Sequence, residues 1–378
     1  MLASVTSLAE AETVRAGGAD IIDLKDPANG PLGALSAILV AEIARSMGAN
    51  AKLSAAAGTI PGAGIIEATR IAATGIDYVK IGFLSQRDLG EYVRAFAAFP
   101  KKTKLIGVFF ADCGPDLSLL RILAECGFVG VMLDTAKKHA GRLLDHMDVA
   151  ALDRFVTCCR AHKLLTGLAG SLESPDVPRL LPLEPDFLGF RGSLCRGHSR
   201  QDEVDPASVK MIRDLIPREL MQEPTGENVA PDWRLWLGRG YIPAPENVVE
   251  TDLIFVHDLV LPCAIGAYDF ERGHFQKVRF NIDADVRRHD RRFDDMRDIF
   301  SYDVLIDSIK IMLGRGHVDL IETLASDIAD EILRYACVAR VCVRIEKLEV
   351  VEGAVGVEIK RERAREKTRG RPGNRAFA

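Results

Sequence analysis

No stretch of this 378-residue sequence stays apolar for long enough to span a bilayer, and its N-terminus lacks the basic-then-apolar pattern of a secretion signal. The expectation is a cytoplasmic protein with no membrane partner. Charge of one sign is equally short: 49 Lys and Arg against 54 Asp and Glu leave a net charge of −5. That balance gives no footprint for nucleic acid. The eight cysteines lack metal-like pairing, since Cys158 and Cys159 are adjacent and Cys337 and Cys342 are irregularly spaced. They read as small buried hydrophobes in a reducing compartment, with no metal site. Also missing is a Gly-x-Gly-x-x-Gly after the first strand pattern, which argues against an open dinucleotide-binding sheet. What is present, 48% apolar and 27% charged residues, describes globular domains with material for real cores. The length asks for two of them.

Residues 1–216 alternate strand and helix patterns. Strands are expected at Leu2–Val5, Ile21–Leu24, Lys52–Ala56, Tyr78–Ile81, Lys104–Phe110, Gly130–Leu133, Leu164–Leu168 and Phe187–Phe190, with helices such as Ala34–Ser46 and Ile65–Ala73 between them. Eight such units predict an α/β fold, a closed (β/α)8 TIM barrel, with a doubly wound open sheet as the alternative. Barrel chemistry sits at the C-terminal ends of the strands. Those ends carry Lys25 after the second strand, Lys80 in the fourth and Asp134 after the sixth. Asp23 shares a face with Lys25, because strand side chains repeat every two residues. An ordinary ion pair at a strand end is the competing reading, but three charged ends converging in one interior are costly without a purpose. Lysines that share a low-dielectric mouth depress one another's pKa, which makes a neutral amine available to attack a carbonyl. Lys138 offers a further amine from the loop after Asp134. The last two units add Gly170-Ser171 and Arg191-Gly192-Ser193, glycine-containing segments where barrels bind phosphate. The residues thus point to a Schiff-base enzyme acting on a small phosphorylated carbonyl compound.

The run Asp20-Ile-Ile-Asp-Leu-Lys-Asp-Pro27, with Tyr78-Val-Lys-Ile-Gly82, Met132-Leu-Asp-Thr-Ala136, Leu168-Ala-Gly-Ser171 and Arg191-Gly192, resembles (5-formylfuran-3-yl)methyl phosphate synthase. The resemblance covers about residues 1–215. It implies a carbon–oxygen lyase that condenses two glyceraldehyde 3-phosphate molecules into the furan precursor of methanofuran-type (methylofuran) one-carbon cofactors. It implies Lys25 as the Schiff-base lysine, with Asp23, Lys80, Asp134 and Lys138 in proton transfer and carbonyl orientation. The connection Asp112-Cys-Gly-Pro-Asp116 looks shorter than the family's usual loop, which leaves Asp112 outside the assigned set.

Residues 217–250 lose periodicity. They are rich in proline and glycine and read as a linker, in which the two tryptophans of the chain, Trp233 and Trp236, anchor it on a domain surface. Residues 251–361 then follow a different pattern. Val278–Val286 alternates apolar and polar residues, as do Leu253–Leu261 and Arg340–Lys347, and Val355–Ile359 adds a last strand. Helical spacing relates Leu305, Ile309, Met312 and Leu313, and again Leu320, Leu324 and Ile328. Two strands, two helices, two strands make an antiparallel α+β unit that needs partners to finish its core. Ile265-Gly-Ala-Tyr-Asp-Phe-Glu271, Phe300-Ser-Tyr302, Leu320-Ile-Glu-Thr-Leu-Ala325 and the Lys347 strand end resemble dihydroneopterin aldolase. That resemblance implies a tunnelling fold (T-fold) and a homo-oligomer with sites between subunits. It implies Glu322, with Ile321 beside it, and Glu271 as the pterin-binding set, and Tyr302 and Lys347 managing protons. The family's Lys-Pro is Lys347-Leu348 here.

Neither resemblance implies a cofactor. The combined reading is a bifunctional enzyme whose second domain binds and cleaves a dihydropterin. Two alternatives stay open: a Schiff-base aldolase with another phosphorylated substrate, and a C-terminal domain that only assembles the protein or binds a pterin. Residues 362–378, with Arg363, Arg365, Lys367, Arg369 and Arg371, are expected to be a solvated basic tail. His139 and His198 lie near the barrel loops as surface groups.

Overall fold

The computed structural model describes residues 1–60, 64–84, 89–100, 102–137, 140–216, 251–268, 271–288 and 300–363. Lys138, His139, the whole 217–250 segment with its tryptophans, and the basic residues beyond 363 lie outside the described residues.

Strand and helix alternate because short apolar runs are stopped by capping residues. Ser7, Ser36, Asp148 and Asp205 each accept a first-turn backbone N–H and start helices Leu8–Ala16, Ala37–Met47, Val149–Ala161 and Pro206–Leu215. Each such cap contributes about 1 kcal/mol. The strands between are β1 (Leu2–Val5), β2 (Ile21–Leu24), β3 (Lys52–Ile60), β4 (Tyr78–Phe83), β5 (Lys104–Phe110), β6 (Phe128–Asp134), β7 (Leu165–Leu168) and β8 (Phe187–Phe190). Every strand pairs in parallel with the next, and β8 closes on β1 through Leu2 with Gly189 and Ala3 with Phe190. The fold is the closed (β/α)8 barrel. β3 runs four residues past its expected end at Ala56, because its register shifts between Ala56 and Thr59, around Gly58 at φ 87°, and pairing resumes beyond.

Alternation sends every second side chain inward. Ala56, Ile106, Val108, Phe110, Met132 and Ala169 pack with Leu32 into an apolar plug. β7 needs glycine at 167, where a β-carbon would fall 2.2 Å from the Phe187 ring.

The second unit is a four-stranded antiparallel sheet in the order β12, β11, β10, β9, from β9 (Thr251–Cys263), β10 (Gln276–Arg287), β11 (Val338–Lys347) and β12 (Val355–Glu362). Helices Tyr302–Gly314 and Ile321–Leu333 fall between β10 and β11, which gives the T-fold order. Val278, Phe280, Ile282 and Ala284 of β10 are fully buried with Val341, Val343 and Ile345 of β11, against Leu305, Ile309, Leu324 and Ile328 of the helices. The other face carries cross-strand pairs, His257 with Asp283 at 2.8 Å and Arg340 with Asp285 at 2.5 Å. One expectation is corrected at the end of this sheet. Glu362 belongs to β12 rather than to a tail, and the Arg363 guanidinium donates to the carbonyls of Leu333, Tyr335 and Val338. Those carbonyls lie at and beyond a helix end, where backbone acceptors lack helical partners. A basic-rich composition hid this, because it cannot distinguish a solvated arginine from one spent on carbonyls.

Candidate active site

Asp23 and Lys25 stand two residues apart on β2 and its end, so both face the barrel interior. Asp23 is fully buried and Lys80, from β4, is 2% exposed. Lys80 Nζ donates to Asp23 Oδ2 at 2.5 Å. Ser4 on β1 and Ser54 on β3 sit in register with Asp23, and their hydroxyls donate to its two oxygens at 2.8 Å each. Burial alone would raise the Asp23 carboxyl, but the Lys80 and Lys25 charges and these hydrogen bonds outweigh it and hold it below the usual carboxylate value. Burial is also the main reason that Lys80 lies below the ordinary lysine value, with the Lys25 charge adding to it and Asp23 opposing.

Lys25 and Asp134 meet from opposite strands. Lys25 Nζ lies 3.8 Å from Asp134 Oδ2, with both side chains nearly buried. Asp134 Oδ1 accepts the Thr135 amide at 2.8 Å, which orients the carboxylate toward the lysine. Asp112, left unassigned from the sequence, accepts the amides of Ala136 and Lys137 at 2.7 and 2.8 Å. It fixes the loop that follows Asp134 and leads to residue 138. These amides overcome partial burial and hold Asp112 below its ordinary value.

Lys25 and Asp134 open onto a cavity of about 460 Å³ that is also lined by Gly170, Ser171, Gly192, Ser193, His198 and Arg200. Gly170 has φ 121° and Ser171 φ 52°. The latter is a left-handed conformation that a non-glycine residue holds only when its surroundings impose it. Ser193 Oγ is buried without a hydrogen-bond partner among the described residues. The Arg191 guanidinium pairs with Glu10 in a buried fork, at 2.7 and 3.0 Å. That arginine, expected to contact substrate, also lines the cavity, while its guanidinium donors are committed to the protein.

In the second unit, Lys347 Nζ donates to Glu271 at 2.9 Å, and the Tyr268 amide donates to the same carboxylate at 3.1 Å. These bonds, Lys347 first, hold Glu271 below the usual glutamate value. Glu271 packs on Gly266, whose carbonyl takes His317 Nε2 at 2.8 Å. Tyr302 and Glu322 each open a helix with an exposed side chain, Ile321 is half-buried, and no contact joins them to the Lys347–Glu271 pair among the described residues.

Residues that sequence reading missed are Ser4, Ser54, Glu10 and Arg200. The serines carried a signal, since each is a small polar residue at an inward position of an apolar strand.

A (β/α)8 barrel with Lys25 and Asp134 at the C-terminal strand ends, and the Asp23–Lys80 pair buried inside the barrel and outside the cavity's lining, has the layout of a barrel enzyme. The 4-HFC-P synthase family model matches residues 1–213, and the dihydroneopterin aldolase model matches residues 254–360. A (5-formylfuran-3-yl)methyl phosphate synthase of Archaeoglobus fulgidus is 33% identical over 213 residues, 52% of this chain and 91% of its own length. A Methylorubrum extorquens protein, provisionally named as the same synthase, is 43% identical over 210 residues, 55% of this chain and 88% of its own. The crystal structure of a dihydroneopterin aldolase from Burkholderia thailendensis bound to guanine is similar over 30% of this chain and 93% of that one, at 28% identity and a TM-score of 0.28. The chain belongs to the 4-HFC-P synthase family, and continues into a dihydroneopterin aldolase-like unit.

Proposed function

We propose that the barrel joins two glyceraldehyde 3-phosphate molecules into (5-formylfuran-3-yl)methyl phosphate, a methanofuran-type cofactor precursor, through an imine on Lys25. The balance closes: two triose phosphates lose one phosphate and two waters. Lys25 Nζ attacks the aldehyde carbon of the first molecule, and the adduct expels water to give the imine. The Asp134 carboxylate, 3.8 Å from that nitrogen, takes and returns the protons of this step. Loss of the proton at C2 turns the imine into an enamine that expels its C3 phosphate, and C2 of the second molecule, as its enediolate, adds to the C3 so exposed. The buried Lys80–Asp23 pair supplies an acid and a base for these proton transfers and for the two losses of water that follow. Ring closure and imine hydrolysis free the product and the amine. The observation that carries the reading is Lys25 and Asp134 meeting at one end of a cavity of about 460 Å³ with the Gly170 and Gly192 segments also in its wall. The test is product analysis with glyceraldehyde 3-phosphate. A furan aldehyde absorbing in the near ultraviolet, with one phosphate released per furan, is expected. An adduct on Lys25 without furan would reduce the barrel to an aldolase of another kind.

The second unit, on the same reading, binds a dihydropterin and cleaves its side chain, with Lys347 carrying the proton and Glu271 fixing that lysine. Edge strand β9 exposes Leu253, Phe255 and Val260, which supports assembly of several chains through this unit. Lys347→Ala is expected to lower release of the two-carbon aldehyde from 7,8-dihydroneopterin by about 10²–10⁴-fold. Furan formation should be unchanged. Equal pterin turnover in both proteins would remove Lys347 from the chemistry.

A further inference from the structure

We propose that Arg200 is the residue that grips the phosphate of the bound substrate, beside Ser193, and that Arg191 serves to aim it. The inference deepens the proposed function and rests on its phosphorylated substrate. A guanidinium has five N–H donors. Arg191 spends all of them on the protein. Nε donates to the Arg200 carbonyl at 3.0 Å, Nη1 to the Ser4 carbonyl at 3.2 Å and Glu10 at 2.7 Å, and Nη2 to Glu10 at 3.0 Å and the Asp202 carbonyl at 3.0 Å. Nothing remains for an anion. Two of those bonds hold the backbone at Arg200 and Asp202, so the buried Glu10–Arg191 pair sets the position of the loop that carries Arg200.

Arg200 is half-buried on the cavity that Lys25, Asp134, Ser171 and Ser193 also line. Its Nη2 makes a long bond, 3.3 Å, to the Pro27 carbonyl, and no other side-chain hydrogen bond engages it among the described residues. Pro27 lies two residues beyond Lys25, so Arg200 reaches from the β8 loop to the loop of the candidate nucleophile. Burial leaves its charge under-solvated, while a guanidinium stays ionised throughout the ordinary pH range. Ser193 adds a buried hydroxyl without a partner on the same wall. A planar cation with open donors, a hydroxyl and glycine backbone around one cavity match a phosphate monoester, which takes two parallel bonds from arginine. Binding would exchange the Pro27 bond for the phosphate and seat the attached carbonyl toward Lys25.

The test titrates inorganic phosphate into the full-length protein, followed by calorimetry. Arg200→Ala is expected to weaken binding about 10–100-fold with thermal unfolding unchanged, and Arg200→Lys to recover part of the loss. Equal affinity in the wild type and Arg200→Ala, or no phosphate binding by the wild type, overturns the proposal. Borohydride trapping with unphosphorylated glyceraldehyde separates this from the imine reading. An adduct of equal yield in the wild type and Arg200→Ala places Arg200 at the phosphate rather than at the carbonyl. A yield that collapses in Arg200→Ala overturns that placement. Absence of any adduct in the wild type sinks the imine alone, since the phosphate titration still decides Arg200.

Discussion

Lys25→Ala is expected to lose furan formation by about 10³-fold or more, with the fold intact, because removing a covalent nucleophile removes the route rather than slowing one step of it. Borohydride with glyceraldehyde 3-phosphate should fix one substrate-derived mass on the wild type, mapped to the peptide holding Lys25, and none on the variant. The prediction is sharp because two buried lysines compete for the role. Lys80 is 2% exposed and bound to Asp23 at 2.5 Å, so a carbonyl must break that pair to reach it. Lys25 lines the cavity and faces Asp134 across a looser 3.8 Å. An adduct on Lys80 would keep imine chemistry and reverse these assignments. No adduct from a folded, substrate-binding protein would end the imine mechanism.

Asp23→Ala should destabilise the barrel by about 3–5 kcal/mol. That is a third or more of the stability of many domains. It strands the Lys80 amine in the interior and leaves the Ser4 and Ser54 hydroxyls without their acceptor. The double variant Asp23→Leu with Lys80→Met replaces both charges with apolar groups and is expected to regain most of the loss while remaining inactive. Urea unfolding followed by circular dichroism checks both, and an Asp23→Ala barrel as stable as the wild type would refute the account. The pair also has an acid signature. The folded Asp23 pKa lies below its unfolded value, so its stabilisation is complete above the ordinary aspartate range. It is lost as pH falls through the depressed value. The double variant should therefore lose part of the acid-induced decline.

The barrel was legible because its strands are short apolar runs at regular spacing, and the meeting of Lys25, Asp23, Lys80 and Asp134 followed from period-two alternation on even-numbered strands. β3 ran past its expected end because a register shift is invisible to alternation. Arg191 drew attention through its glycine neighbour, yet its donors are consumed by Glu10, 181 residues away in sequence. Arg200 lay in an aperiodic loop, and its bond to Pro27 spans 173 residues, a separation no local pattern records. In the second unit the Lys347–Glu271 pair was reached through resemblance alone. The exposed Tyr302 and Glu322 stand apart from it among the described residues, where a site shared between chains would leave them.

The Glu10–Arg191 pair also bears on how the chain is made. β8 is held by two register pairs on each side, so the seam beside β1 is thinly laddered, and this buried fork joins the first helix to the last loop. At roughly 5–20 residues per second, translation takes about 10–40 s to travel from one partner to the other. Until β8 is made, β1 and β7 each lack a ladder partner on one side, and Glu10 lacks the arginine it pairs with. Closure therefore waits for the last strand, and the arginine that directly follows it ties the start of the barrel to its end.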